Sequence, residues 1–68
     1  MGGYESTYIY AKSLYEKAFD YSNMNSKESY LRQAYRVANS LPDNYLGKRE
    51  LMRDIERYAD SYNIDLGF

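Results

Sequence analysis

The sequence predicts an all-α fold, a small three-helix up-down-up bundle, on three observations. Apolar residues recur at steps of three and four in three separate segments, short clusters of Asn, Ser, Pro and Asp divide those segments, and no stretch alternates with the period of a strand. The 68 residues leave room for one helical domain, 1–68, with short connections that make successive helices antiparallel neighbours.

The first helix is expected over about 4–22. Tyr8, Ala11, Tyr15, Ala18 and Ser22 form its stripe, and Leu14, Phe19 and Tyr21 broaden it. Asn23-Met24-Asn25 interrupts the pattern, and Asn in such a place can take the left-handed conformation that closes a helix. A second helix is expected over about 26–41. Asn25 or Ser26 can cap it, and Glu28, three residues after Asn25, can reach back in a capping box. Leu31, Ala34, Ala38 and Leu41 are its stripe, flanked by Tyr30, Tyr35 and Val37. Pro42 disfavours helical geometry in the residue before it and so ends the segment.

The third helix is expected over about 45–63, capped by Asp43 or Asn44, although Gly47 leaves its start open. Leu51, Ile55, Tyr58 and Tyr62 step by four, three and four, with Met52 and Ala59 beside them. Asn63 is a C-terminal cap. The tail, 64–68, carries Ile64, Leu66 and Phe68, too apolar a set to stand free in water, and is expected to pack on the bundle or on a partner. Leu14, Tyr21, Tyr35, Ala38 and Pro42 loosely resemble one tetratricopeptide unit, a helical hairpin closed by Pro. The small residues that such a unit needs at its crossing do not share one register, and one unit cannot bury its faces alone, so no function is carried over.

Composition narrows the function. Leu, Ile and Val together number only 10 and Tyr alone also numbers 10, so tyrosine has to help build the core. Neither Cys nor His is present, which removes disulfides and the commonest metal ligands, and no metal or cofactor is expected. The net charge of -1 opposes a general attraction to nucleic acid or to anionic lipid. The start of the chain lacks the basic and apolar regions of a signal peptide and no run spans a bilayer, so the expected location is the cytoplasm of its own cell or of a host, away from the membrane.

A general base would have to come from Asp, Glu, Lys or Tyr. The carboxylate pairs on offer, Glu16 with Asp20 and Glu50 with Asp54, have ordinary helix-surface spacing, and an enzyme is not expected. The tyrosines instead suggest contact surface. Tyr4, Tyr8 and Tyr15 lie near one edge of the first helix and Tyr10 and Tyr21 on another, while the bland alternative makes them boundary residues standing in for Leu and Phe.

The leading expectation is therefore a non-catalytic interaction module that binds a larger protein, with Tyr30, Arg32, Tyr35, Arg36, Leu66 and Phe68 as its contacts. A composition rich in Tyr, Asn and Ser without His, Cys or Trp is common in accessory proteins of AT-rich bacteria and their viruses, which suits an adaptor or inhibitor. One alternative is nucleic-acid binding through Arg32, Arg36, Arg49, Arg53 and Arg57, although the third helix interleaves its arginines with Glu50, Asp54, Glu56 and Asp60 as a solvated face does. The other alternative is a self-associating structural or regulatory dimer.

Overall fold

The computed structural model describes residues 3–66. They form three helices, α1 Glu5–Phe19, α2 Met24–Asn39 and α3 Lys48–Ser61, the bundle that the periodicity predicts. Ring contacts give the direction of each helix. Tyr8, early in α1, meets Tyr45 just before α3, and Tyr15 and Phe19, late in α1, meet Tyr58 late in α3. Helices α1 and α3 thus run the same way, and α2, packed against both, runs opposite to them.

Helices α1 and α3 are shorter than the apolar pattern suggests and α2 is shifted two residues toward the N-terminus, and the reason is how the ends are satisfied. Helix α1 stops at Phe19, and the N–H groups of Asp20 and Tyr21 turn back to the carbonyls of Lys17 and Ala18. Asn23 then has extended backbone and caps α2, its side-chain oxygen accepting from the N–H groups of Asn25 at 2.8 Å and Ser26 at 3.3 Å. The cap is therefore Asn23, not Asn25 or Ser26, and Glu28 pairs with Arg32 at 2.6 Å instead of closing a capping box. Replacing Asn23 by Ala should cost about 0.5–2 kcal/mol, read as a lower urea midpoint with an unchanged slope.

Helix α2 ends at Asn39, two residues before the expected limit, in turns that lead through Ser40 and Leu41 to Pro42. Asp43 and Asn44 do not cap the next helix. Its N-cap is Gly47, held at φ 97, so α3 starts after the glycine rather than at Tyr45. The left-handed backbone calls for glycine, and a Cβ on Gly47 would lie 3.2 Å from the ring and hydroxyl of Tyr8, a tight contact that the ring would have to yield to by a few tenths of an ångström. At the far end of α3, Asn63 takes the left-handed conformation at φ 57. Its N–H bonds to the carbonyl of Asp60 at 3.1 Å, and that of Ile64 bonds to the carbonyl of Ala59 at 2.8 Å. This is the Schellman arrangement, and the expected Asn63 cap holds.

The core joins Ala11, Leu14 and Ala18 of α1 to Leu31, Ala34 and Ala38 of α2 and to Leu51, Ile55 and Ala59 of α3. Alanines on both α1 and α2 let those helices approach closely. Two charged side chains are buried with them, Lys27 and Lys48. Lys27 Nζ donates to the carbonyl of Ala18 and to the hydroxyl of Tyr58, both at 2.9 Å. Lys48 Nζ donates to the carbonyls of Leu41 at 2.6 Å and Asn39 at 3.4 Å and pairs with Asp43 at 3.0 Å. Each ammonium sits against the carbonyl end of the preceding helix, where the helix dipole favours positive charge. Among the described residues no helix is long and apolar enough to cross a membrane.

Candidate functional site

The surface expected on α2 is divided among three directions. Tyr30 and Tyr35 are five residues apart, hence about 140° apart around the helix. Tyr30 faces α1, stacking on Tyr21 with ring centroids 5.2 Å apart and with Lys17 Nζ 5.8 Å from its centroid. Tyr35 faces α3 and donates its hydroxyl proton to Glu56 at 2.9 Å. Arg32 pairs with Glu28 and donates from Nε to the carbonyl of Asp65 at 2.8 Å, so it fastens the tail to α2. Arg36 is exposed in a shallow groove of about 310 Å³ with Ser29, Arg32 and Gln33. Leu66 and Ile64 are half-buried against the core, and Phe68 lies outside the described residues.

Arginines of α3 are exposed but not alone. Arg49 and Arg53 share one open groove, about 460 Å³, with Asp43 and Glu56, while Arg53 and Arg57 share another, about 510 Å³, with Glu56, Asp60 and Asp65. Interleaved carboxylates offset the positive field that a phosphate backbone requires.

The concentrated feature is a set of aromatic rings in two clusters, one joining α1 to the segment before α3 and one joining α1 to α3. At the N-terminal end, Tyr45 meets Tyr4 edge-on at 6.5 Å and Tyr8 at 5.6 Å. At the other end Tyr15 meets Phe19 at 5.0 Å and Tyr58 at 6.0 Å, Phe19 meets Tyr58 at 4.7 Å, and Tyr58 meets Tyr62 at 5.0 Å, all edge-to-face. Edge-to-face packing sets the positive rim of one ring against the negative face of the next. Lys27 anchors this end, its ammonium 5.3 Å from the Tyr58 centroid and 5.1 Å from that of Tyr62.

Neither a family model, nor a curated protein, nor a solved structure matches the chain.

This set was half legible beforehand. Tyr4, Tyr8 and Tyr15 fall on one edge of α1 by spacing alone, but their partnership with Tyr45, Tyr58 and Tyr62 depends on how α3 is placed. Its members are unequally covered: Tyr8, Tyr15, Tyr45 and Tyr58 are half-buried, whereas Tyr4 is 52%, Phe19 49% and Tyr62 43% exposed.

Burial, reinforced by the Asp54 carboxylate, raises the pKa of Tyr15. Burial also raises that of Tyr35, reinforced by its hydrogen bond to Glu56. The unfolded chain therefore releases these protons first, at about pH 10. Their contribution to stability is complete below that pH and is lost as pH rises through the higher folded values. Urea midpoints should be insensitive to these groups near neutrality and should fall above about pH 10. Replacing Tyr15 and Tyr35 together by Phe should flatten that alkaline fall, and an unchanged slope would refute the assignment.

Proposed function

We propose that the protein is a non-catalytic interaction module of the adaptor or inhibitor type, and that it docks on another protein through the aromatic face between α1 and α3. The observation that carries this reading is the seven rings clustered where α1 meets α3 and the segment before it, with Tyr4, Phe19 and Tyr62 open to solvent. Tyrosine gives a large contact area with few rotatable bonds and a hydroxyl that hydrogen-bonds at a partner's surface, which is why it is enriched at binding hot spots. On α2, by contrast, Arg32 and Tyr35 are engaged within the fold, so the contact surface proposed here lies elsewhere than on that helix.

The test is affinity capture from a native lysate treated with nuclease, comparing the natural chain with a variant carrying Tyr4→Ser, Phe19→Ser and Tyr62→Ser. Helical content is checked by circular dichroism. The expected result is a retained protein that the triple variant loses. Equal retention by a folded triple variant would overturn the reading, as would retention that disappears with nuclease and falls steeply with salt.

A further inference from the structure

We infer that the groove between the end of α2 and the start of α3 is a second binding site, which takes a carboxylate carried by an acidic segment of another protein. The site is separate from the aromatic face and does not depend on it. Tyr58 turns one flank of α3 to Tyr15 of α1, whereas Glu56 turns the other flank to Tyr35 of α2. Arg49, Arg53 and Glu56 share that second flank, at helical steps of four and three.

Donors without acceptors meet in this groove of about 460 Å³. Arg49 and Arg53 line it from α3, and Asn39 lines it from the end of α2. Among the described residues neither guanidinium has an ion-pair or hydrogen-bond partner, and the side-chain amide of Asn39 has none. The two carboxylates of the groove are already engaged. Asp43 pairs with Lys48 at 3.0 Å, and Glu56 accepts from the Tyr35 hydroxyl at 2.9 Å. Lys48 is buried and directs its three ammonium protons to Asp43 and to the carbonyls of Leu41 and Asn39, so it adds positive charge but no free donor. Arg49 and Arg53, one turn apart on the helix, also repel each other, and a bound anion relieves that repulsion.

The local charge selects the ligand. Lys48, Arg49 and Arg53 stand against Asp43 and Glu56, an excess of one positive charge. A single carboxylate neutralises it, and guanidinium groups hold carboxylates through paired, charge-assisted N–H···O bonds. A phosphate monoester carries about −1.5 to −2 at neutral pH and would leave net negative charge beside Glu56 and Asp43. Half-buried Met52 lines the same groove and gives the methylene stem of a glutamate an apolar surface. Because the groove is open, it suits a side chain presented by a polypeptide better than a small molecule, which a site has to surround.

The experiment titrates the full chain at low salt with a short alanine peptide that has one central glutamate and blocked ends. The side-chain N–H resonances of Arg49, Arg53 and Asn39 are followed by NMR. The peptide with central glutamine, acetate and inorganic phosphate are run beside it. The glutamate peptide should bind saturably and shift all three sets of resonances, and the glutamine peptide should not. Arg49→Gln together with Arg53→Gln should raise Kd at least about tenfold. Arg57→Gln removes charge from the same helix outside this groove and should change Kd less than about twofold. All three arginines are exposed, and circular dichroism confirms folding. Absence of saturable binding, or an equal loss in the Arg57 variant, would overturn the site. Acetate binding as tightly as the peptide would overturn the protein segment as its source, and phosphate binding more tightly would overturn the carboxylate as its ligand. The variant with Tyr4→Ser, Phe19→Ser and Tyr62→Ser should bind the peptide unchanged, so failure of either surface is read apart from the other.

Discussion

Leu31→Ala should remove a large part of the protein's stability and shift its urea midpoint strongly downward. Leu31 and Ile55 are the two largest side chains wholly removed from solvent, and five of the ten buried hydrophobic residues are alanine, so the core holds little redundant apolar volume. Cutting a buried Leu to Ala costs about 2–5 kcal/mol, the transfer term plus the cavity left behind. A chain of this size has roughly 3–10 kcal/mol in all, at about 0.05–0.15 kcal/mol per residue. The loss is therefore a large part of the total. Urea titration followed by circular dichroism provides the measurement, with Leu46→Ala as control, because Leu46 is 92% exposed and its truncation should change stability by less than about 0.5 kcal/mol. A Leu31→Ala cost below about 1 kcal/mol would mean that the core closes around the gap.

The second large effect is expected at Lys48. Lys48→Met keeps the aliphatic stem and removes the ammonium, so the carbonyls of Leu41 and Asn39 lose their buried donor. An acceptor left without a partner costs about 1–3 kcal/mol, and the favourable charge at the end of α2 goes with it. The pairing with Asp43 is a smaller matter. That carboxylate is fully exposed, so solvent screens the pair. Asp43→Ala should accordingly be mild while Lys48→Met is severe. Equal costs would move the weight from the carbonyls to the salt bridge.

Periodicity carries the fold. Leu31, Ala34, Ala38 and Leu41 are all buried as their spacing requires, and so are Leu51 and Ile55. Spacing does not show where a stripe stops being helical. Ser22 and Tyr21 continue the pattern of α1 yet lie outside it, because Asn23 claims the next amides and Lys27 takes the Ala18 carbonyl. The lysines were missed for a related reason. A lysine reads as a surface residue, although Lys27 is four residues before Leu31 and Lys48 three before Leu51, in phase with the core in both cases. Phase was the available signal, and the usual preference of charge for water hid it.

The residues expected as contacts on α2 do not gather on one face. Tyr30, Arg32, Tyr35 and Arg36 are close in sequence, but a helix turns them through most of its circumference, and the fold gives Arg32 and Tyr35 internal work. The aromatic face gathers its rings from both ends of the chain and from a loop, which no local pattern announces.

The buried lysines also bear on how the molecule forms. Lys27 reaches a carbonyl nine residues behind it, at Ala18, and Lys48 does the same at Asn39. Each fastening thus closes within a single reversal of the chain and needs no distant segment to arrive first. A protein tied together by such near neighbours belongs with the helical bundles that fold in microseconds to milliseconds. Hairpins that secure their own bends in this way confine the slower search to one step, the docking of α3 along α1 that assembles the rings.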